Sequence, residues 1–371
     1  MPWIPEGTFI GTAGPWSAYT HTTCAMGGYW SASFTVGGKT ADVEAWLDEG
    51  LARHVVVKDD AQQTVWEGFV NVVEASLGGL SVTRGPLLDV VNAAAVVYLP
   101  VTDPTTSPPT LGNRTVTAYA YNADSATKYP LLAKVYSGGS LLPAEATQAR
   151  DLIVGDLGEP VTSKQWSSDA RSAPSVRVSC LGYVHWLAAF QYSQVALSNV
   201  YSLSAKVADI LDADPNGVFS SANADIATNA TQVLRYDDSQ RSGWDLLKKA
   251  CSLGDAALNR YVVSVGNGRR VRYEAVGDDV AYLQRLADPN QEITTPTGAP
   301  VYPWEVRAGR WLFFTDFLAG RVPATTPVRE DPRMLFLESI TYTAPNSLML
   351  TGSRVSRLDQ AIARWGLSGM G

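Results

Sequence analysis

The chain has 371 residues, about 2.5 times a typical domain of roughly 150 residues, so one small domain is excluded and about two to four compact units are expected. Hydrophobic residues make up 46% and charged residues 18%, which excludes disorder for most of the chain, and 11 Trp, 16 Tyr, 31 Gly and 21 Pro favour strands and turns over long exposed helices. The net charge of −7 comes without a basic run, so the electrostatic footprint of a nucleic-acid binder is missing.

In chain order, the first forty residues are rich in Gly, Ser, Thr and aromatic side chains and read as short strands with irregular connections. A helix follows, capped by Thr40, with Asp42 and Glu44 at its positive end, Val43, Trp46 and Leu47 as its apolar stripe, and Gly50 closing it. β-branched content rises over His54–Lys58 and again over Thr64–Val73, which predicts a hairpin. In its second strand Trp66, Gly68, Val70 and Val72 share one face, with Glu67 and Asn71 on the other. Gly78-Gly79 turns the chain into a third strand, Leu80–Arg84, and such a meander has open edges that must be closed or covered. The proline- and threonine-rich residues 101–112 read as a loop or domain boundary.

Pro143 opens a second helix with Ala146, Ala149, Leu152 and Ile153 inward, ended by Gly158 and Pro160. Ser175–Leu181 alternates with Val176, Val178 and Cys180 on one face, which makes Cys180 a core thiol. One helix follows Tyr201, with Val207, Ile210 and Leu211 inward. Another starts at Ser242, with Asp245 placed for a capping box and Trp244, Leu247 and Cys251 on one stripe. Tyr261–Val265 and Arg270–Val276 flank the turn Gly266-Asn267-Gly268, the clearest hairpin in the sequence. Pro303–Asp316, Leu335–Tyr342 and Leu348–Thr351 read as strands, and a terminal helix carries Leu358, Ile362 and Trp365.

Cys24, Cys180 and Cys251 are far apart and odd in number, which points to free thiols and a reducing compartment. The N-terminus shows no basic start followed by an apolar run, so no secretory leader is expected. The longest apolar stretch, Leu87 to Val101, is interrupted by Asp89 and Asn92 and is too short to span a bilayer, so no membrane insertion is expected.

Catalysis needs convergent side chains, and the sequence holds no nucleophile elbow, Walker loop or H-E-x-x-H. His21, His54 and His185 are scattered and read as core or surface residues. His21 and Cys24 have the spacing of half a zinc site, with no second pair nearby. The pairs Asp59-Asp60, Asp237-Asp238 and Asp278-Asp279 read as solvated turns, because adjacent side chains point apart and do not flank a sugar bond. Asp212-Ala213-Asp214-Pro215-Asn216-Gly217 matches the opening of a calcium loop, with Asp212, Asp214 and Asn216 as oxygen donors. Its twelfth position is Asn223 where a bidentate Glu belongs, so a helix-ending turn is preferred and calcium is the alternative. No other metal and no cofactor is expected. Trp3, Trp16, Trp30 and Trp304 lie in turn-rich stretches and are candidates for stacking on a sugar or for a subunit interface.

The segments Gly50-Leu51-Ala52-Arg53-His54-Val55, Val65-Trp66-Glu67-Gly68-Phe69-Val70-Asn71, Gly85-Pro86-Leu87-Leu88-Asp89-Val90-Val91-Asn92, Val178-Ser179-Cys180-Leu181-Gly182-Tyr183, Ser242-Gly243-Trp244-Asp245-Leu246-Leu247 and Gly268-Arg269-Arg270-Val271-Arg272-Tyr273 together resemble tail-tip proteins of long-tailed bacteriophages, in particular baseplate hub and hub-like tail proteins. The resemblance implies barrel domains that copy the tail-tube fold, with a small α/β insertion. It further implies a homo-oligomeric ring, read as a trimer, that ends the tail tube and passes genomic DNA on ejection. Its partners would be the tail tube or distal tail protein, the tape measure protein and the tail fibre proteins, and its place the virion tail tip after synthesis in the host cytoplasm. A ring hides edge strands and has closed rotational symmetry. An acidic inner wall keeps passing DNA from sticking, which makes Asp48, Glu49, Asp59, Asp60 and Glu67 the lumen-lining candidates, since residues 1–100 carry 4 basic and 10 acidic side chains.

The expected fold is therefore mainly β (β+α): tail-tube-like β-barrel domains with a small α/β insertion and a C-terminal β segment. The expected units are 1–110 (first tube-like barrel), 111–175 (α/β insertion), 176–290 (second α/β or barrel-like domain) and 291–371 (C-terminal β segment with the terminal helix). The expected function is that of a non-enzymatic virion structural protein. The alternatives are a carbohydrate-binding module, a distal tail ring protein and, less favoured, a cell-wall hydrolase with a scattered carboxylate pair.

Overall fold

The computed structural model describes residues 16–168, 172–192, 200–234, 241–345 and 347–353. Trp3, the pair Asp237-Asp238 and the expected helix of Leu358, Ile362 and Trp365 lie outside the described residues.

Strands β1 (Trp16–Cys24) and β2 (Gly27–Gly37) form an antiparallel pair. Helix α1 (Thr40–Glu49) has Lys39 rather than Thr40 as its cap residue, because the Asp42 carboxylate takes the Lys39 N–H at 3.0 Å. Strands β3 (His54–Lys58), β4 (Thr64–Gly78) and β5 (Leu80–Arg84) make the expected meander. The alternation expected along β4 fails at residues 65–70, which are all buried. Glu67, paired to β3 through Val56, is covered by the distant turn at Gly268 and so is drawn inside.

A separate five-stranded sheet follows, built on β6 (Ala93–Asp103). Three two-residue strands, β7 (Thr110–Leu111), β8 (Thr115–Val116) and β9 (Ala120–Tyr121), run antiparallel along one edge of β6. After α2 (Ala123–Lys128), β10 (Ala133–Leu141) pairs parallel with the other edge. Helix α3 (Pro143–Leu157) covers one face, with Val154 on Val91 and Ala94 and Ala146 on Val96 and Tyr98. The α/β unit thus begins near residue 93, and the expected boundary at 110/111 falls inside one sheet, since 101–103 and 110–111 are paired strand residues and only 104–109 connects them. Leu152, expected inward, is 57% exposed, because α3 turns Ala146 and Val154 to the sheet instead.

β11 (Thr162–Trp166) returns beside β5, and β12 (Ser172–Gly182) fits between β4 and β2. The first sheet therefore draws strands from both sides of the insertion. A helical layer follows: α4 (Val184–Ala189), the strand β13 (Val200–Ser202), α5 (Leu203–Asp212), the strands β14 (Ala224–Ile226) and β15 (Gln232–Leu234), and α6 (Gly243–Leu253). Trp186, Ile210, Leu211, Leu247 and Cys251 from these helices share one core with Trp66, Phe69 and Val178 of the sheet. The hairpin β16 (Tyr261–Val265) and β17 (Val271–Ala275) forms as expected, and β16 meets β2 where Val265 faces Gly28. Gly28 has φ +74°, and a Cβ there would lie 2.2 Å from the Val265 carbonyl oxygen, so the junction requires glycine.

The last strands are β18 (Val280–Gln284), β19 (Ile293–Thr294), β20 (Pro300–Val301), β21 (Trp311–Phe314), β22 (Met334–Thr343) and β23 (Ser347–Ser353). The strand expected over Pro303–Asp316 is a short helical turn, Pro303–Glu305, followed by the shorter β21. β22 pairs with β1, so the C-terminal segment zips onto the first described strand. The fold is mainly β, as expected. Among the described residues the large sheet is an open path of strands from β11 to β20 and does not close into a barrel.

Candidate functional site

Glu67 stands at the centre of a polar cluster that joins three parts of the chain, and it is only 4% exposed. Its carboxylate accepts the Gly268 N–H at 2.6 Å from the β16–β17 turn and lies 3.9 Å from His54 Nε2 on β3. On the other side of that ring, His54 Nδ1 and the Tyr183 hydroxyl are 2.8 Å apart, and the Arg269 guanidinium lies 5.7 Å over the Tyr183 ring. The local sequence dictates the turn: Gly268 and Arg269 both take positive φ, +68° and +58°, and the glycine makes the first of these free of strain. Burial pushes the Glu67 carboxyl up, with the Gly268 N–H and Arg269 opposing. Burial, then Arg269, pushes the His54 imidazole down. The arrangement is a buried carboxyl held by a backbone donor beside an imidazole, and it anchors a hairpin tip.

The lumen-lining candidates separate in space. Asp48 and Glu49 are exposed at the end of α1, Asp60 is exposed and Asp59 half-buried at the β3–β4 turn, where the Asp59 carboxylate takes the Gln63 N–H at 2.8 Å. Glu67 does not belong with them. Its carboxylate is turned into the protein, because the turn at Gly268 closes over it.

The calcium candidates hold protein donors instead of converging. Asp214 is 8% exposed, and its carboxylate takes the N–H groups of Asn216, Val218 and Phe219 at 3.0, 2.7 and 3.1 Å and the Trp186 indole N–H at 3.4 Å. Asp212 takes the Ser221 N–H and hydroxyl, both at 2.7 Å. The Asn216 amide turns away to the insertion, accepting the Leu131 N–H at 2.9 Å and donating to the Leu131 carbonyl at 3.1 Å. Asp212, Asp214 and Asn216 therefore form a helix-ending turn, and among the described residues no group of three His, Cys, Asp or Glu side chains is placed to hold a metal ion.

The tryptophans are dispersed. Trp16 is 58% exposed, Trp30 is half-buried with its ring centre 4.4 Å from that of His185, and Trp304 is half-buried, stacked on Tyr302 at 4.8 Å. They form no common sugar platform. Cys180 and Cys251 are buried and their thiols pushed up, while the half-buried Cys24 thiol is pushed up to about 11, all by burial.

Two features escaped the sequence reading. Along β1, Tyr19, His21 and Thr23 face inward towards Tyr342, and burial pushes the His21 imidazole down to about 4, with Arg307 adding to the shift. The period-two pattern of Tyr19, His21 and Thr23 carried that signal. The second feature is a surface: of 16 exposed large apolar side chains among the described residues, ten lie between Leu99 and Trp166, and β11, at the end of the large sheet, is exposed along its whole length with Trp166 at 74%. No periodicity marks such residues as exposed, since two-residue strands are too short to show a pattern.

No protein-family model matches the chain, and no curated protein matches it. Among solved structures it is similar to the 43 kDa tail protein of prophage MuSo2 from Shewanella oneidensis, with 10% identity over 93% of this chain and 95% of that one and a TM-score of 0.33. The chain thus has a phage tail protein as a distant structural neighbour. A likeness at that level fixes neither fold nor function. No helix among the described residues is long and apolar enough to cross a membrane.

Proposed function

We propose that this chain is a non-enzymatic structural subunit of a bacteriophage tail, located at the tail tip of the virion. Copies of it form the ring that ends the tail tube, meets the tail tube or distal tail protein, the tape measure protein and the fibre proteins, and lets DNA pass. The sequence resemblance supplies the family. The observation that carries the reading is the clustering of ten exposed large apolar side chains on and beside the α/β insertion, next to an open sheet edge. Monomeric proteins rarely leave such surface uncovered, and an unpaired edge strand invites a neighbour. The exposed carboxylates of Asp48 and Asp60 carry the sign that repels passing phosphate.

Mass photometry and negative-stain microscopy of the purified chain test the proposal. A closed ring, and its co-sedimentation with polymerised tail-tube protein, is the expected result. A monomer at every concentration that also ignores tail tubes overturns it.

A further inference from the structure

The α/β insertion presents apolar side chains on both of its outer sides. On β6, Ala93, Val97 and Val101 are four residues apart and so point to one face. Their strand partners are Tyr121, Val116 and Leu111, 61%, 54% and 44% exposed, and paired residues share a face. These three form a row roughly 26 Å long at about 3.3 Å per residue. Helix α3 lies on the opposite face, over Ala94, Val96 and Tyr98. Its own outer side exposes Leu152 (57%).

The charges on the two sides are opposite. Arg114 is the sole charged residue of 104–123, is exposed, and makes no ion pair among the described residues. On α3, Glu145, Leu152 and Asp156 share one stripe, being seven and then four residues apart. Arg150 is taken by Asp151 at 2.7 Å and Glu159 by Lys128 at 3.0 Å, and among the described residues Glu145, whose carboxylate takes the Leu142 N–H at 2.9 Å, and Asp156 have no cation partner.

We infer that the insertion is the contact between neighbouring copies of this chain: the Leu111–Val116–Tyr121 row of one copy packs on the outer side of α3 in the next, with Arg114 set against Glu145 and Asp156. A contact between two different surfaces of the same chain repeats head to tail and closes into a ring when its rotation permits. The inference rests on the reading of the chain as a self-assembling tail subunit.

The test uses the full chain and two variants at exposed positions, Val116→Asp, which meets the acidic helix side, and Leu152→Arg, which meets Arg114. Both should keep the wild-type circular dichroism and melting temperature, and each should weaken self-association on the order of thirtyfold, the effect of losing one interface hot spot. Mixed together they should associate again, because each retains the surface the other lacks and the two altered surfaces carry opposite charges. Wild-type assembly with unaffected variants overturns this surface and leaves the self-assembly reading standing. Two blocked variants that never pair in the mixture overturn the head-to-tail geometry. A wild type that never associates overturns both readings.

Discussion

The backbone N–H of Gly268 donates to the Glu67 carboxylate at 2.6 Å, tying the tip of one hairpin to a strand 201 residues earlier. Removing the acceptor loses a hydrogen bond made to a buried carboxylate. Glu67→Ala should therefore cost about 1–3 kcal/mol of stability, and Glu67→Gln, which keeps an acceptor oxygen, clearly less. Thermal unfolding of both variants gives the order, and hydrogen exchange should quicken at Gly268. Equal losses for the two variants would count against the bond.

His21 sets a pH dependence. Its folded imidazole is pushed down to about 4 from an ordinary 6.5. Protonation therefore favours the unfolded chain: the stability is present above about pH 6.5 and is lost as pH falls towards 4, up to about 3 kcal/mol. His54 and His185, also pushed down by burial, act with the same sign. Glu67 and Asp214, whose carboxyls burial pushes up, act with the opposite sign. Denaturant unfolding across this range should show a falling stability, and His21→Leu should flatten the slope.

The turn at Asp214 and Asn216 docks the insertion. Asn216→Ala removes both bonds to Leu131 and should cost about 1–3 kcal/mol, read as a lower urea midpoint and faster exchange at the Leu131 amide. Calcium titration calorimetry should give no heat with the wild-type chain, because the Asp214 oxygens already hold four donors.

Gly68 is a packing necessity. A Cβ at this position would lie 2.2 Å from the Leu181 carbonyl oxygen and 2.4 Å from the Trp66 ring. Gly68→Ala should drive the protein into the insoluble fraction, whereas Gly78→Ala, at an open turn with φ +65°, should stay soluble with only a small loss.

Local pattern alone located the elements whose physics is local. The capped helix from Ser242 appears because the Ser242 hydroxyl accepts the Asp245 N–H at 3.1 Å, a bond between residues three apart. The meander over residues 54–84 and the hairpin around Gly268 follow from short turns between β-branched runs. The alternation of Val176, Val178 and Cys180 needs only one buried face.

What depends on distant partners was decided by tertiary structure. Glu67 reads as surface charge from its neighbours in sequence, and is inside because the hairpin tip at Gly268, some two hundred residues later, closes over it. The acidic motif at Asp212 reads as an ion loop, and is a clasp because Leu131 of the insertion offers its backbone to Asn216. The opening numbers, an acidic and lightly charged chain rich in aromatics, fixed a β-rich fold through propensity and composition. They held no information on which apolar side chains stay exposed, since that depends on where helix α3 and strands β7 to β9 come to rest on β6, and those positions are set by contacts between residues far apart in the chain.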